Sequence, residues 1–301
     1  MCPQTAPGRG KEWTRKMPLD LFEKILDQLP GTPIINLEGS GEPTMAKDLP
    51  RYIQACTERG LKSYIYTNGL KLQGQFMKDC VDAGLSAVRF SIIGYSDWKY
   101  KIWMNSDEYH TIWDNIRELK RYAFFTDNEC DVSTYHLITN NENINFEMVE
   151  YTKKIRKEGV TGYIWKMHNW SGNYKPGYER NKTERRTCGR PFAPEVTIRS
   201  GGHPGHNGAV TSCCQTLGPP NETKSVMGHL DDQTLDEVWN GDRYKTLRKA
   251  HAEKDFDSLD FCKDCDFLYD DPEVLVWTND PNMKVGQMLG TNLNLLTPKE
   301  I

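Results

Sequence analysis

From residue 18 to residue 165 the sequence switches repeatedly between two hydrophobic periods, and this alternation restricts the fold more than any other feature. Leu19, Phe22, Ile25, Leu26 and Leu29 recur at helical spacing, and residues 33–37 form a short apolar run suited to a buried strand. Asp48 is placed to N-cap a second helix with Leu49, Tyr52, Ile53 and Cys56 on one face, and Gly60 stops it before a strand at 63–66. A third helix around Phe76, Met77, Cys80 and Val81 ends at Gly84 and leads to a strand at 87–92. Tyr109, Ile112, Trp113, Ile116 and Leu119 mark a fourth helix; a strand at 131–138, a weaker helix at 143–157 and a last strand at 162–166 follow. Strands joined by helices of this length run parallel through right-handed crossovers. The repeat predicts an α/β fold, a full or partial β/α barrel, with a doubly wound sheet as second choice. In both, ligands bind beyond the carboxyl ends of the strands.

The residues at those ends carry polar groups. Glu38-Gly39-Ser40-Gly41-Glu42-Pro43 follows the first strand, Thr67-Asn68-Gly69 the second, and Ser91 ends the third. Glycines allow close backbone approach, while Glu42, Asn68 and Ser91 offer an acceptor, an amide and a hydroxyl on one rim, which suits a small zwitterion. Any one of these loops reads most simply as a turn. Three in succession at one end of a sheet favour a binding rim.

After the polar stretch 179–186, read as a solvated linker, the alternation stops and a cysteine-rich segment begins. Among 301 residues there are nine cysteines, a net charge of −4 and 27% charged residues, which excludes a basic nucleic-acid clamp. No apolar run approaches the roughly 18 residues of a membrane span, and the first 20 residues lack the apolar centre of a signal peptide. The expectation is a cytoplasmic protein with no nucleic-acid or membrane partner, whose cysteines are core residues or metal ligands rather than disulfides. Cys56, Cys80 and Cys130 fall on apolar stripes and read as core. Cys262 and Cys265 form a C-x-x-C whose turn lets two thiolates converge; with Cys188 and one of Cys213 and Cys214 they make four soft ligands, enough for zinc or a [4Fe-4S] cluster. His203 and His206, around a Pro-Gly turn, read as an exposed hairpin tip rather than ligands. Thr234 and Glu237 form a capping box for a helix with Leu235, Val238 and Trp239.

Several motifs in order resemble the radical S-adenosylmethionine (SAM) superfamily, in the branch with a C-terminal SPASM or shorter Twitch-type module. Met1-Cys2-Pro3-Gln4 is similar to the end of the family's C-x-x-x-C-x-x-C loop, and Ser40-Gly41-Glu42-Pro43 to its GGE-type SAM-binding motif. Thr67-Asn68-Gly69, Ser91 and Asn140 or Asn141 are similar to positions that complete the SAM pocket. Cys188, Gly208-x4-Cys213, Gly228-His229-Leu230, residues 235–241, Tyr244-x2-Leu247-Arg248 and Cys262-x2-Cys265 are similar to the SPASM pattern.

The resemblance implies a partial (β/α)6 barrel lacking its first strand over residues 1–179, a small α+β auxiliary module over 180–278 and a tail over 279–301. It implies SAM bound by Gly41, Glu42, Pro43, Thr67, Asn68, Ser91 and Asn141. It also implies a radical SAM [4Fe-4S] cluster of which Cys2 is the third ligand, and one auxiliary [4Fe-4S] cluster on Cys188, Cys213, Cys262 and Cys265, with Cys214 a neighbour. The implied partners are a peptide or small-molecule substrate and an electron donor such as a flavodoxin or ferredoxin. His168, Asn169 and Trp170 are candidates for the substrate side. Because two cluster cysteines and one strand have no match, the chain is expected to lack roughly twenty residues upstream and to be inactive alone. The alternative is a catalytically silent binding protein holding a cluster or zinc.

Overall fold

The computed structural model describes residues 10–29, 31, 34–38, 41–138, 143–175, 184–218, 220–269 and 275–281. Its larger sheet holds strands β1 (Ile34–Asn36), β2 (Lys62–Thr67), β3 (Leu85–Ser91), β4 (Asp131–Ile138) and β5 (Thr161–Lys166), parallel and adjacent in that order. Helices α1 (Leu19–Leu26), α2 (Leu49–Thr57), α3 (Gly74–Asp82), α5 (Tyr109–Phe125) and α6 (Ile144–Glu158) lead or separate them, as the periodicity predicts. Ile65, Val88, Phe90, Ile138 and Ile164 point to the helices and join Ile53, Met77, Trp113, Ile116, Tyr151 and Ile155 in one core.

Three local features differ from the sequence expectation. Asp48 occupies the N-cap of α2 but makes no capping bond; its carboxylate pairs with Lys16 at 2.6 Å instead. An unanticipated helix, α4 (Asp97–Met104), begins at Ser96, whose hydroxyl accepts from the Lys99 N–H. Its periodicity is hidden because Trp98 and Ile102 are exposed and only Tyr100 is buried. The last strand of the sheet, β9 (Leu275–Thr278), lies in the segment grouped by sequence with the cysteine-rich module; it pairs antiparallel with β5 and buries Val276 in the barrel core.

The second sheet is antiparallel, with β6 (Thr197–Ile198), β7 (Ala209–Thr211) and β8 (Val226–His229). Helices α7 (Asn221–Lys224), α8 (Leu235–Trp239) and α9 (Asp242–Glu253) accompany it, and α8 carries the expected capping box. Helix α1 belongs to both halves. Phe22 and Leu26 pack on Tyr52, Ala55 and Cys56 of α2, whereas Leu21 and Ile25 pack on Val210, Met227, Tyr244 and Leu247 of the module. Among the described residues no helix is long and apolar enough to cross a membrane.

Candidate functional site

Parallel pairing places Tyr66, Arg89 and Ser133 in one row of the sheet and Ser91, Tyr135 and Tyr163 in the next, on the face opposite the helices. These positions are mostly half-buried, while the alternating residues Ile65, Val88, Phe90 and Ile164 are fully buried. Arg89 organises the concave face. Its Nη1 donates to Tyr66 Oη at 3.1 Å and its Nε to Ser133 Oγ at 3.2 Å, and its guanidinium lies 4.0 Å from the Tyr163 ring centre. Burial raises the Tyr66 and Tyr163 hydroxyls above the ordinary phenol range, so both are neutral hydrogen-bonding groups. Strand propensity conceals this site, since Tyr and Arg in a strand signal a face only once the register is known.

The rim is built around Glu42. Its Oε1 accepts from the Thr44 N–H, the Thr44 hydroxyl and, at 2.6 Å, the Thr67 hydroxyl; its Oε2 accepts from the Asn68 N–H at 2.8 Å. Three donors meet Oε1 and one meets Oε2, which keeps a lone pair open. Glu42 thereby ties the ends of β1 and β2 together. Asn68 Oδ1 accepts from the Leu70 N–H, and Gly69 has φ +80° with Phe90 only 2.6 Å from where a Cβ would stand. Gly41 is exposed, Pro43 opens the turn Pro43–Met45, and Ser91 lies half-buried at the end of β3. Cys2, Gly39, Ser40, Asn140 and Asn141 lie outside the described residues.

His168, Asn169 and Trp170 all make contacts within the frame. Asn169 donates its backbone N–H to Asp266 Oδ2 at 2.9 Å and its side-chain amide to the Asp264 carbonyl at 2.6 Å, while its Oδ1 accepts from the Asp266 N–H. The His168 ring packs on Trp170 and Phe267. Trp170 and Ser171 take left-handed backbone conformations, and the Ser171 hydroxyl donates to the Phe261 carbonyl. The chain leaving β5 is thus bolted to both flanks of the C-x-x-C turn.

That turn closes with the Cys265 N–H donating to the Cys262 carbonyl at 2.8 Å. Cys188, Cys213, Cys262 and Cys265 lie within electrostatic reach of one another. Burial raises all four thiols, Cys213 to about 11, and neighbouring cysteines raise Cys262 and Cys265 further. Cys214 neighbours Cys188 and Cys213 but turns aside, its Sγ accepting from Arg190 Nη1 at 3.1 Å. Arg190 Nε is buried with no hydrogen-bond partner. Buried soft donors that disfavour each other's ionisation, beside a fixed cation with an unused N–H, fit a shared anionic metal–thiolate group.

His203 and His206 do flank an exposed turn, but their rings pack on the buried His229, 5.0 and 4.5 Å away. Among the described residues, His206, Asp231 and Asp232 form a set of ligand atoms within 4.8 Å of one another; no three cysteine sulfurs do. Cys56 and Cys80 are buried in the core as expected, and Cys130 packs against it.

Residues 205–266 match the SPASM iron-sulfur cluster-binding domain. Fe-coproporphyrin III synthase of Methanosarcina barkeri is 33% identical over 91 residues, which cover 30% of this chain and 23% of that protein. Matches to curated relatives span between 16% and 29% of those proteins' length. The fold resembles that of BtrN, solved with AdoMet and 2-DOIA, at a TM-score of 0.53 and 17% identity over 88% of this chain and 85% of that one. It also resembles Streptococcus suis SuiB, solved with S-adenosylmethionine, at 0.55 and 13% over 77% and 60%; SuiB has also been solved with the precursor peptide SuiA. The cysteine module thus carries a match to an iron-sulfur cluster-binding domain, and the chain shares its fold with BtrN and SuiB.

Proposed function

We propose that the chain is the barrel and auxiliary module of a radical SAM enzyme acting on a peptide or small molecule, with one auxiliary [4Fe-4S] cluster on Cys188, Cys213, Cys262 and Cys265. When bound, SAM and a radical SAM cluster with Cys2 among its ligands would supply the radical chemistry that removes a substrate hydrogen. The protein's contribution is positioning and exclusion of water. Glu42 holds the strand ends that present the backbone of Gly41 and Pro43 to SAM, with Thr67, Asn68, Ser91 and Asn141 completing the rim. Arg89 supplies a fixed positive charge on the concave face, suited to a carboxylate or phosphate of the bound ligand, and Tyr66 and Tyr163 hold it in place.

The observation that carries this reading is the Asn169 clamp, which ties the Cys262–Cys265 turn to the chain leaving the carboxyl end of β5, on the side of the rim. Iron rather than zinc is supported by the match of residues 205–266 to an iron-sulfur cluster-binding domain.

Anaerobic reconstitution with iron and sulfide tests the proposal. The chain should take up about four irons with broad visible absorbance, lost when Cys262 and Cys265 are both replaced by alanine. Placing a C-x-x-x-C segment in frame ahead of Cys2 should add about four more irons and reductant-dependent 5′-deoxyadenosine. Zinc in place of iron refutes the auxiliary cluster, and an extended chain that forms no 5′-deoxyadenosine refutes the enzyme.

A further inference from the structure

Arg190 stands where the fold gains nothing from a positive charge. It opens the turn Arg190–Phe192 two residues after Cys188, and its side chain is only 12% exposed. Its guanidinium donates to Cys214 Sγ at 3.1 Å and lies 5.6 Å from the Phe267 ring centre; its titratable neighbours are Cys214, Cys213, Glu195 and Cys188. Among the described residues the one carboxylate nearby, Glu195, is 3.5 Å away and half exposed, so it offsets only part of the charge of a buried guanidinium. Among the described residues Nε has no hydrogen-bond acceptor. A desolvated cation with an unspent donor requires an anion.

We infer that Arg190 sets the reduction potential of the auxiliary cluster, its charge countering the cluster and its Nε–H reaching a cluster sulfur. This rests on the auxiliary-cluster reading above. Four thiolates on an oxidised [4Fe-4S] core make a dianion and reduction makes a trianion, so a fixed cation and a sulfur-directed hydrogen bond both favour the reduced form and raise the potential. Cys214 has the complementary task of holding Nη1 so that Nε is aimed inward. Glu195 opposes the effect by partly neutralising the guanidinium.

The test is a redox titration of the reconstituted full chain followed by electron paramagnetic resonance, with iron counted in every sample. Arg190→Met should keep its iron and shift the auxiliary midpoint to a more negative potential, at least tenfold in the one-electron equilibrium constant, or about 59 mV. Glu195→Gln, at a half-exposed side chain, should shift it in the opposite direction. Midpoints that match the unmodified chain in both variants overturn the inference. Should Arg190→Met fail to retain iron, Glu195→Gln decides: a positive shift sustains the role, and an unmoved or negative one removes it. If the unmodified chain binds no iron, the underlying cluster reading fails instead.

Discussion

His251 shows how a single buried side chain couples this fold to pH. Its ring is 2% exposed and packs edge-on against Phe256; Nδ1 meets the Thr187 hydroxyl at 3.0 Å, and Nε2 is buried without a partner. Burial pushes its pKa down from 6.5 to about 4, so between those values the unfolded chain binds the proton that the folded chain refuses. Stability from this group is complete above about pH 6.5 and is lost as the pH falls toward 4. Between pH 7 and pH 5 the protein should therefore lose about 2 kcal/mol more than His251→Phe, measured by anaerobic guanidinium unfolding. Neither this histidine nor Arg89 was legible in the sequence. A histidine on helix α9 and an arginine in a strand acquire meaning only from the surfaces that enclose them. Thr67, Asn68 and Gly69 were legible as a rim because turn chemistry is local, although the four donors that meet Glu42 were not.

At the scale of elements, legibility followed the range of the forces that build each one. The Thr234–Glu237 capping box lies within three residues and is readable directly; its hydroxyl and carboxylate make the reciprocal bonds that the pattern predicts. Strand β9 is the opposite case. Four residues with no turn signal become a strand because β5 offers an unpaired edge, and the Thr278 hydroxyl and Asn279 side chain bond the Gly162 carbonyl and N–H. Its single core residue, Val276, is fully buried. Val276→Asp places an unpaired charge in the barrel core and should cost more than about 4 kcal/mol, lowering the denaturation midpoint and exposing the β5 amides to hydrogen exchange.

For the whole molecule, α1 joins barrel to module because its apolar residues form two stripes rather than one. Ile25, 3% exposed, lies on the stripe that packs the module. Ile25→Ala should cost about 2–5 kcal/mol, and calorimetry should show a single unfolding transition replaced by two as the halves uncouple. The sequence by itself determined the parallel α/β core and the cysteine-rich module, because hydrophobic period, turn residues and cysteine spacing are encoded along the chain. Only the tertiary structure decided that Arg89 commands the concave face, that Asn169 bolts the barrel to the cysteine turn, and that Arg190 lies buried among the sulfurs. Each of these depends on which surfaces exclude water and which charges are brought within a few ångströms, and those distances exist only after the chain has folded.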